Sequence, residues 1–329
     1  MKAYKLKFHS SFHLDSGTAV DGPSEIIVKS DSLFSAICSA ANKFYGYELV
    51  ETFLQPQAVI VSSAFPFLKD ELFLPKPLNY YPNIDDYEMI KEFKKIKFIS
   101  KDFLELILRD NVIPGSFLNK DFILNGCWRN RKNDAEDLIF KTSENPHIVV
   151  DRITNSTQIF YKTEVYFAKN AGLFFLADVR DDILQKFEAV LRFLGDEGIG
   201  ADRTIGKGLF EVEEIKNFFL SPSKGYDSFY SLSLYSPTES EFNSILAKES
   251  FYDLEVRKGW VFNNTLRRKA LRMFTEGSVF KFNSSPPPPI GSIQKVLNKN
   301  DYPTDLSTDI FRSGQALFLP FSGDLNGNN

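Results

Sequence analysis

The sequence predicts an α+β protein: two ferredoxin-like (RRM-like) β-α-β-β-α-β units with antiparallel sheets, the first carrying an insertion and a protruding hairpin. Three observations lead there. Strand-like and helix-like segments mix without strict β-α alternation. The pattern restarts after a linker, "NFFLSPSKGYDS", at 217–228. The 329 residues are enough for two buried cores.

Each element has its own signal. Residues 3–14 alternate, with Tyr4, Leu6 and Phe8 on one parity, as a strand does. After a loop from Gly17 to Pro23, "SDSLFSAICSAANKFYG" reads as a helix. Ser30 or Asp31 suits its N-cap, Leu33, Ile37, Ala40, Ala41 and Phe44 share a face, and Gly46 closes it. Residues 60–145 read as irregular and hold an insertion at about 70–145, with a lysine-rich run from Lys91 to Lys101 and the basic "WRNRK" at 128–132. "PHIVVDRITNSTQIFYKTEVYF" (146–167) reads as two strands about a polar turn at Thr154–Thr157. Strand "LFFLADV", helix "DDILQKFEAVLRFLG", the loop "GIGADRTIGKGLF" and strand "LFEVEEI" complete a first unit at 1–220. The second, 226–321, offers strand "FYSLSLYS", a helix from Pro237 to about Lys248, and strands "FYDLEVRKGWVF" and "RMFTEGSVFKF". After the stiff Pro286–Pro289 comes a last strand, "DIFRSGQALFLPF", and 322–329 is a frayed tail.

Composition narrows the function classes. Hydrophobic residues make up 43% and charged residues 25%, ordinary for a soluble globular chain. Thirty-three phenylalanines are not ordinary, and so many leave some to face a ligand. A net charge of −4 excludes a globally basic nucleic-acid binder, so any such role needs local patches. Cys38, Cys127 and the three histidines lack metal-ligand spacing, which argues against zinc and for a reducing compartment. The N-terminus alternates, unlike a signal peptide, and no run approaches the roughly 20 apolar residues of a membrane span. A cytoplasmic protein without metal or cofactor is expected.

"GIGADRTIGKGLF" (198–210) invites a nucleotide reading that its spacing refuses. A dinucleotide fingerprint, G-x-G-x-x-G, would need glycine where Arg203 stands. A P-loop, G-x-x-x-x-G-K-S/T, would need Ser or Thr at Gly208, and Gly200 lies one residue too far back. Both motifs run from strand to helix, whereas this loop runs from helix to strand. Two readings stay open. Glycines can aim backbone N–H groups at an anion flanked by Arg203, Thr204 and Lys207, or they can form a helix C-cap and a β-bulge.

A second basic region lies from Glu255 to Lys281. Seven basic residues (Arg257, Lys258, Arg267, Arg268, Lys269, Arg272, Lys281) meet two acidic ones, Glu255 and Glu276, among the aromatics Trp260, Phe262 and Phe274. Interleaved cations and rings suit unpaired RNA, with rings stacking bases and cations meeting phosphates. A solvated loop above core aromatics is the competing reading.

The loop "GIGADRTIGKGLF" resembles the glycine-rich loop of the RAMP superfamily, the RNA-binding subunits of CRISPR effector complexes. "SDSLFSAICSAANKFYG", the series "RKGWVFNNTLRRKALRMFTEGSVF" and the final "FRSGQALFLPF" are similar to segments of the subunits that bind the guide's 5′ end in type III-A (Csm) complexes. "VVDRITNSTQIFYKTEVYF" resembles the family's thumb hairpin. The likeness runs in order along nearly the whole chain, except for the insertion and Pro286–Pro289. It implies a non-catalytic subunit in antiviral defence that grips the repeat-derived 5′ tag of the guide (CRISPR) RNA. It also implies docking to a large palm-domain signalling subunit and to a backbone RAMP subunit. Gly198, Gly200, Gly206 and Gly208, with Arg203, Thr204 and Lys207, become tag-phosphate contacts, and Ser30 and Asp31 are secondary candidates. The hairpin near Arg152–Phe160 would wedge into the guide–target RNA duplex. The C-terminal candidates are Trp260, Arg267, Arg268, Lys269, Arg272, Phe274, Gly277 and Ser278.

Catalysis finds little support. His9 and His13 share a strand parity, which sets them about 13 Å apart, too far for one proton relay. His147 precedes the hairpin without a partner. Asp85–Asp86 reads as a loop and Asp181–Asp182 as a helix N-terminus, where acids oppose the macrodipole. The alternatives are a metal-independent endoribonuclease processing CRISPR repeat RNA and an interaction module without RNA contact.

Overall fold

The computed structural model describes residues 1–14, 25–82, 87–109, 113–220, 226–261, 266–283, 290–301 and 308–321. The loop at 17–23, Asp85–Asp86, Phe262, Pro286–Pro289, part of the linker and the tail fall outside the described residues.

The first part of the chain forms β1 (Lys2–Phe8), α1 (Ser30–Tyr45), α2 (Tyr47–Phe53), β2 (Val59–Val61), β3 (Phe65–Leu68), β4 (Glu71–Pro75), α3 (Tyr87–Lys95), β5 (Phe98–Ser100) and α4 (Lys101–Leu108). It continues with β6 (Ile123–Leu124), β7 (Cys127–Trp128), β8 (Phe140–Val150), β9 (Thr157–Phe167), β10 (Ala171–Val179), α5 (Leu184–Glu197) and β11 (Phe210–Glu214). One sheet runs in the order β11-β1-β10-β3-β4-β5-β7-β6, with β2 also pairing with β10. Its pairs are antiparallel except β5 with β7, which is parallel, a departure from the all-antiparallel expectation. α1 and α5 pack together, burying Leu33, Ile37 and Ala41 with Phe187, Val190 and Leu191.

The insertion is not irregular. It extends the main sheet through strands of two to five residues, of which β4, β5 and β7 are buried throughout and β6 partly, so no alternation marks them in the sequence. Trp128 anchors it, with Phe93 and Phe103 edge-on to its ring and its indole N–H donating to the Phe117 carbonyl at 2.8 Å. The basic "WRNRK" is neutralised locally. Arg129 is buried against Glu71 (2.8 Å) and Asp137 (2.7 Å), and Arg131 pairs with Asp70. Lys95 and Lys101 pair in the same way with Glu92 and Glu105.

Two details of α1 correct the sequence reading. Lys29 occupies the N-cap, while Ser30 and Asp31 lie buried in the first turn. Phe44 is half exposed and stacks on Phe193 of α5 instead of entering the core.

β8 and β9 form an eleven-pair hairpin longer than expected, turning through 151–156. Among the described residues they pair only with each other, apart from a bridge from Val165 to Phe12 near the base. Ile148, Val149, Val150, Ile153, Ile159 and Tyr161 are exposed on the hairpin.

The remainder comprises β12 (Ser228–Ser231), α6 (Glu239–Ser244), β13 (Leu254–Arg257), β14 (Trp260–Val261), β15 (Leu266–Arg267), β16 (Leu271–Phe274), β17 (Val279–Lys281), β18 (Ile293–Leu297), β19 (Ile310–Ser313) and β20 (Phe318–Phe321). A sheet β17-β12-β20 stands beside the ribbons β13-β16, β14-β15 and β18-β19. The second β-α-β-β-α-β unit is not seen: among the described residues, this part has a single α-helix of six residues. "RMFTEGSVFKF" and "DIFRSGQALFLPF" each divide into two strands. The first turns at Gly277 (φ 87°). In the second, a side chain on Gly314 would press on Ser236.

The two parts share one core, in which Tyr230, Leu232, Leu319 and Phe321 pack with the first unit's aromatics. Polar contacts cross as well, including Leu234 N–H to Ser30 Oγ at 2.9 Å and Ser233 Oγ to the Val61 carbonyl at 2.9 Å. No helix among the described residues is long and apolar enough to cross a membrane.

Candidate nucleic-acid interface

The glycine loop leaves α5 through Gly198, whose N–H donates to the Leu194 carbonyl at 2.8 Å. Its neck is narrow: Ile199 N–H bonds Gly208 (3.0 Å), and Gly208 N–H bonds Ser11 (2.8 Å). A Cβ on Gly208 would lie 2.0 Å from the Ile199 carbonyl, and one on Gly200 2.5 Å from that of His13, so neither position takes a side chain. Gly206 faces open space at φ 84°.

Both open readings of this loop have a physical basis. Gly198 is a helix C-cap. Beyond the neck, the amides of Gly200, Asp202, Arg203 and Thr204 meet no acceptor among the described residues. Arg203 and Thr204 are exposed there, and Arg203 has no ion-pair partner among the described residues. Free amides beside a free guanidinium form a polar concavity for an oxyanion.

Lys207 departs from its expected role. Its Nζ lies 2.7 Å from Oε2 of Glu164, at the hairpin base, and 2.9 Å from Ser11 Oγ. Glu164 is buried and also accepts from Ser11 (2.7 Å) and Tyr166 (2.9 Å). Burial pushes its carboxyl up, but these donors, Lys207 foremost, outweigh it and hold the pKa at about 2. A second pair, Lys162 with Asp202 at 2.8 Å, straps the other side of the loop to the same hairpin. Lys207 is thus a strut of the loop, and Arg203 is its open cation.

Ser30 and Asp31 do not face a ligand. Ser30 accepts from Leu234, and Asp31, 2% exposed, is clasped by Arg257 (3.1 Å) and Arg312. Burial raises the Asp31 pKa, but the two guanidiniums reverse this and leave it below the ordinary value. Phe274 is buried against Tyr235 and Phe280. Gly277 and Ser278 are a buried turn: Gly277 N–H bonds Ser231 (2.9 Å), and Ser278 Oγ bonds Thr275 (2.7 Å). A charged phosphate cannot reach these positions without opening the core. Arg257 and Lys281 are engaged by acids. Lys258, Arg267, Lys269 and Arg272 remain exposed without an acidic partner among the described residues. Arg267 lies over Trp260, 5.8 Å from the ring centre, and half of Trp260 is exposed. Arg152 is exposed at the hairpin turn.

The histidines also differ from expectation. β1 ends at Phe8, so His9 and His13 do not share a strand. His13 is buried with Nδ1 2.7 Å from the Thr163 carbonyl. His147 lies on β8, stacked on Phe160 and 3.9 Å from Glu164. Ser11, Lys162 and Glu164 escaped the sequence reading because their partners are distant in the chain.

Residues 5–211, from β1 to the start of β11, match the model of the RAMP superfamily, so the scaffold carrying the glycine loop is of that class. Residues 224–321 match the CRISPR Csm4 C-terminal domain. The CRISPR system Cms protein Csm4 of Thermococcus onnurineus is 30% identical over 277 residues, covering 79% of this chain and 84% of the relative. The chain belongs to the Csm4 family of the RAMP superfamily. Among solved structures, one of a Csm3–Csm4 subcomplex of the type III-A CRISPR-Cas interference complex aligns with a TM-score of 0.67 at 22% identity, covering 98% of this chain and 100% of that one. A Csm1–Csm4 cassette in complex with pppApA aligns at 0.61 and 23%, covering 98% and 97%.

Proposed function

We propose that this chain is a non-catalytic, RNA-binding subunit of a type III-A CRISPR effector complex in the cytoplasm, and that its glycine loop holds the repeat-derived 5′ tag of the guide RNA. The observation that carries the reading is the set of amides at Gly200, Asp202, Arg203 and Thr204 that meet no acceptor among the described residues, beside Arg203, which has no ion-pair partner there. A phosphodiester there would accept from backbone donors that any base sequence permits, with Arg203 supplying charge. The strand order β11-β1-β10-β3 supports a ferredoxin-like first unit, with the loop at its helix-to-strand crossing.

The exposed apolar end of the β8–β9 hairpin suits a thumb that wedges beside the guide–target duplex, where Ile153 would meet a base pair's face. Relatives described with Csm3 and with Csm1 support docking of this chain to a backbone subunit and to a large signalling subunit.

Coexpression of the chain with its neighbouring complex subunits and a guide RNA tests the reading. Guide RNA should copurify intact and lose protection at its 5′ tag in the Arg203→Ala variant. Cleavage of repeat RNA by the isolated chain, abolished by His9→Ala, would replace this reading with the endoribonuclease.

A further inference from the structure

A cavity of about 940 Å³ lies where three parts of the fold meet. Its walls include Pro75, Lys76 and Phe98 from the extension of the main sheet, Thr142 and Thr163 from the hairpin base, and Glu276 from the C-terminal part. Two half-buried lysines line it, and their surroundings drive them in opposite directions. Burial lowers the pKa of Lys29, but Glu276 at 2.9 Å and Glu255 at 3.2 Å outweigh it and raise the value. Lys76 has no acidic partner among the described residues, and burial lowers its pKa from an ordinary 10.5 to about 8.

The groups around Lys76 hold it in place without neutralising it. Its backbone N–H bonds the Lys97 carbonyl at 2.9 Å, and its Nζ donates to the Phe93 carbonyl at 3.3 Å. That carbonyl already accepts the Ile96 N–H at 3.1 Å. Nζ also stands 4.0 Å from the centre of the Phe93 ring, whose face carries only a partial charge. Lys94 and Lys97 line the same cavity, are exposed, and have no acidic partner among the described residues. A desolvated amine releases its proton readily and becomes a nucleophile. Free cations at the rim of its cavity suit an anionic leaving group.

We propose that Lys76 is a modification site, acylated at Nζ by small acyl phosphates whose phosphoryl group Lys94 and Lys97 hold. The neutral amine attacks the acyl carbon, so that a C–N bond forms and the C–O bond to phosphate breaks. Phosphate leaves with that electron pair, and the surplus proton on nitrogen passes to water. The product amide has no charge to desolvate, so it suits the half-buried position better than the ammonium does. This modification is separate from RNA binding and does not depend on it.

The test is incubation of the purified full chain with acetyl phosphate across a pH series, with acetylation of each lysine followed by mass spectrometry. A short lysine peptide in the same tube is the reference. At neutral pH, Lys76 is expected to react roughly tenfold faster than the peptide, because more of it is free amine, offset in part by its lower basicity. Its rate should level off above about pH 8, whereas that of the peptide keeps rising to about pH 10, and Lys29 should stay unmodified. The double variant K94A/K97A should slow Lys76 about fivefold with acetyl phosphate and leave its rate unchanged with p-nitrophenyl acetate, a neutral donor. A Lys76 rate no higher than that of the peptide at every pH overturns the proposal. Equal slowing with both donors, or slowing with neither, overturns the assignment of acyl phosphates as its substrates.

Discussion

Lys207 of the glycine loop and Glu164 of the hairpin form an ion pair, Nζ to Oε2 at 2.7 Å, whose acid is buried and whose base is partly open to solvent. With Lys162 and Asp202 at 2.8 Å, it makes one body of the two segments that the functional reading assigns to RNA. The loop's shape therefore depends on the hairpin base, and its ligand affinity should respond to changes there.

Removing Lys207 leaves Glu164 buried with the hydroxyls of Ser11 and Tyr166 as its hydrogen-bond donors and His147 at 3.9 Å. Lys207→Met should lower unfolding free energy by about 2–3 kcal/mol, less than for a fully buried pair because Lys207 is partly exposed. The double variant Lys207→Met, Glu164→Gln should recover most of that loss. Urea unfolding of the four proteins measures the coupling, and additive effects would contradict the strut.

Acid should open the same clamp. Glu164 is held at about 2 in the fold against an ordinary 4.5. A depressed carboxyl stabilises the fold above its unfolded value, and that contribution disappears as pH falls through the folded one. The thermal midpoint should therefore drop between pH 4.5 and 2, and Glu164→Gln should flatten the drop in that window.

Two loop glycines should separate by geometry. Gly208→Ala drives a Cβ to 2.0 Å from a carbonyl and should cost about 3 kcal/mol or more. Gly206→Ala meets only the left-handed backbone penalty of about 1–2 kcal/mol. Equal midpoints for the two variants would contradict the narrow neck.

Local signals made part of this architecture legible. The alternation of Tyr4 and Leu6, the apolar face of α5 and the glycine spacing at 198–208 each lie within one element, where a period or a turn residue can be read. β4 and β5 carry no alternation, because they are buried on both faces. In "RMFTEGSVFKF", the apolar flanks masked a turn that Gly277 could have signalled. Lys207 read as a ligand contact because nothing nearby in sequence shows that Glu164, 43 positions away, claims it. Asp31 and Arg312 are 281 positions apart and meet only through the shared core.

That contact defines another test. Asp31→Asn leaves Arg257 and Arg312 buried without their shared anion and should destabilise the fold by about 3–5 kcal/mol. Asp31→Asn proteins that unfold at the wild-type urea midpoint would show that the cluster does not tie the two parts together.

The central claim is that the open side of the glycine loop holds RNA phosphate through Arg203. The most direct measurement is the salt dependence of guide-RNA affinity for wild type and Arg203→Ala, with thermal midpoints recorded alongside. The expected result is weaker binding and a slope shallower by about 0.7, at an unchanged midpoint, since Arg203 has no ion-pair partner among the described residues to lose. Identical affinity and slope in the two proteins would contradict it.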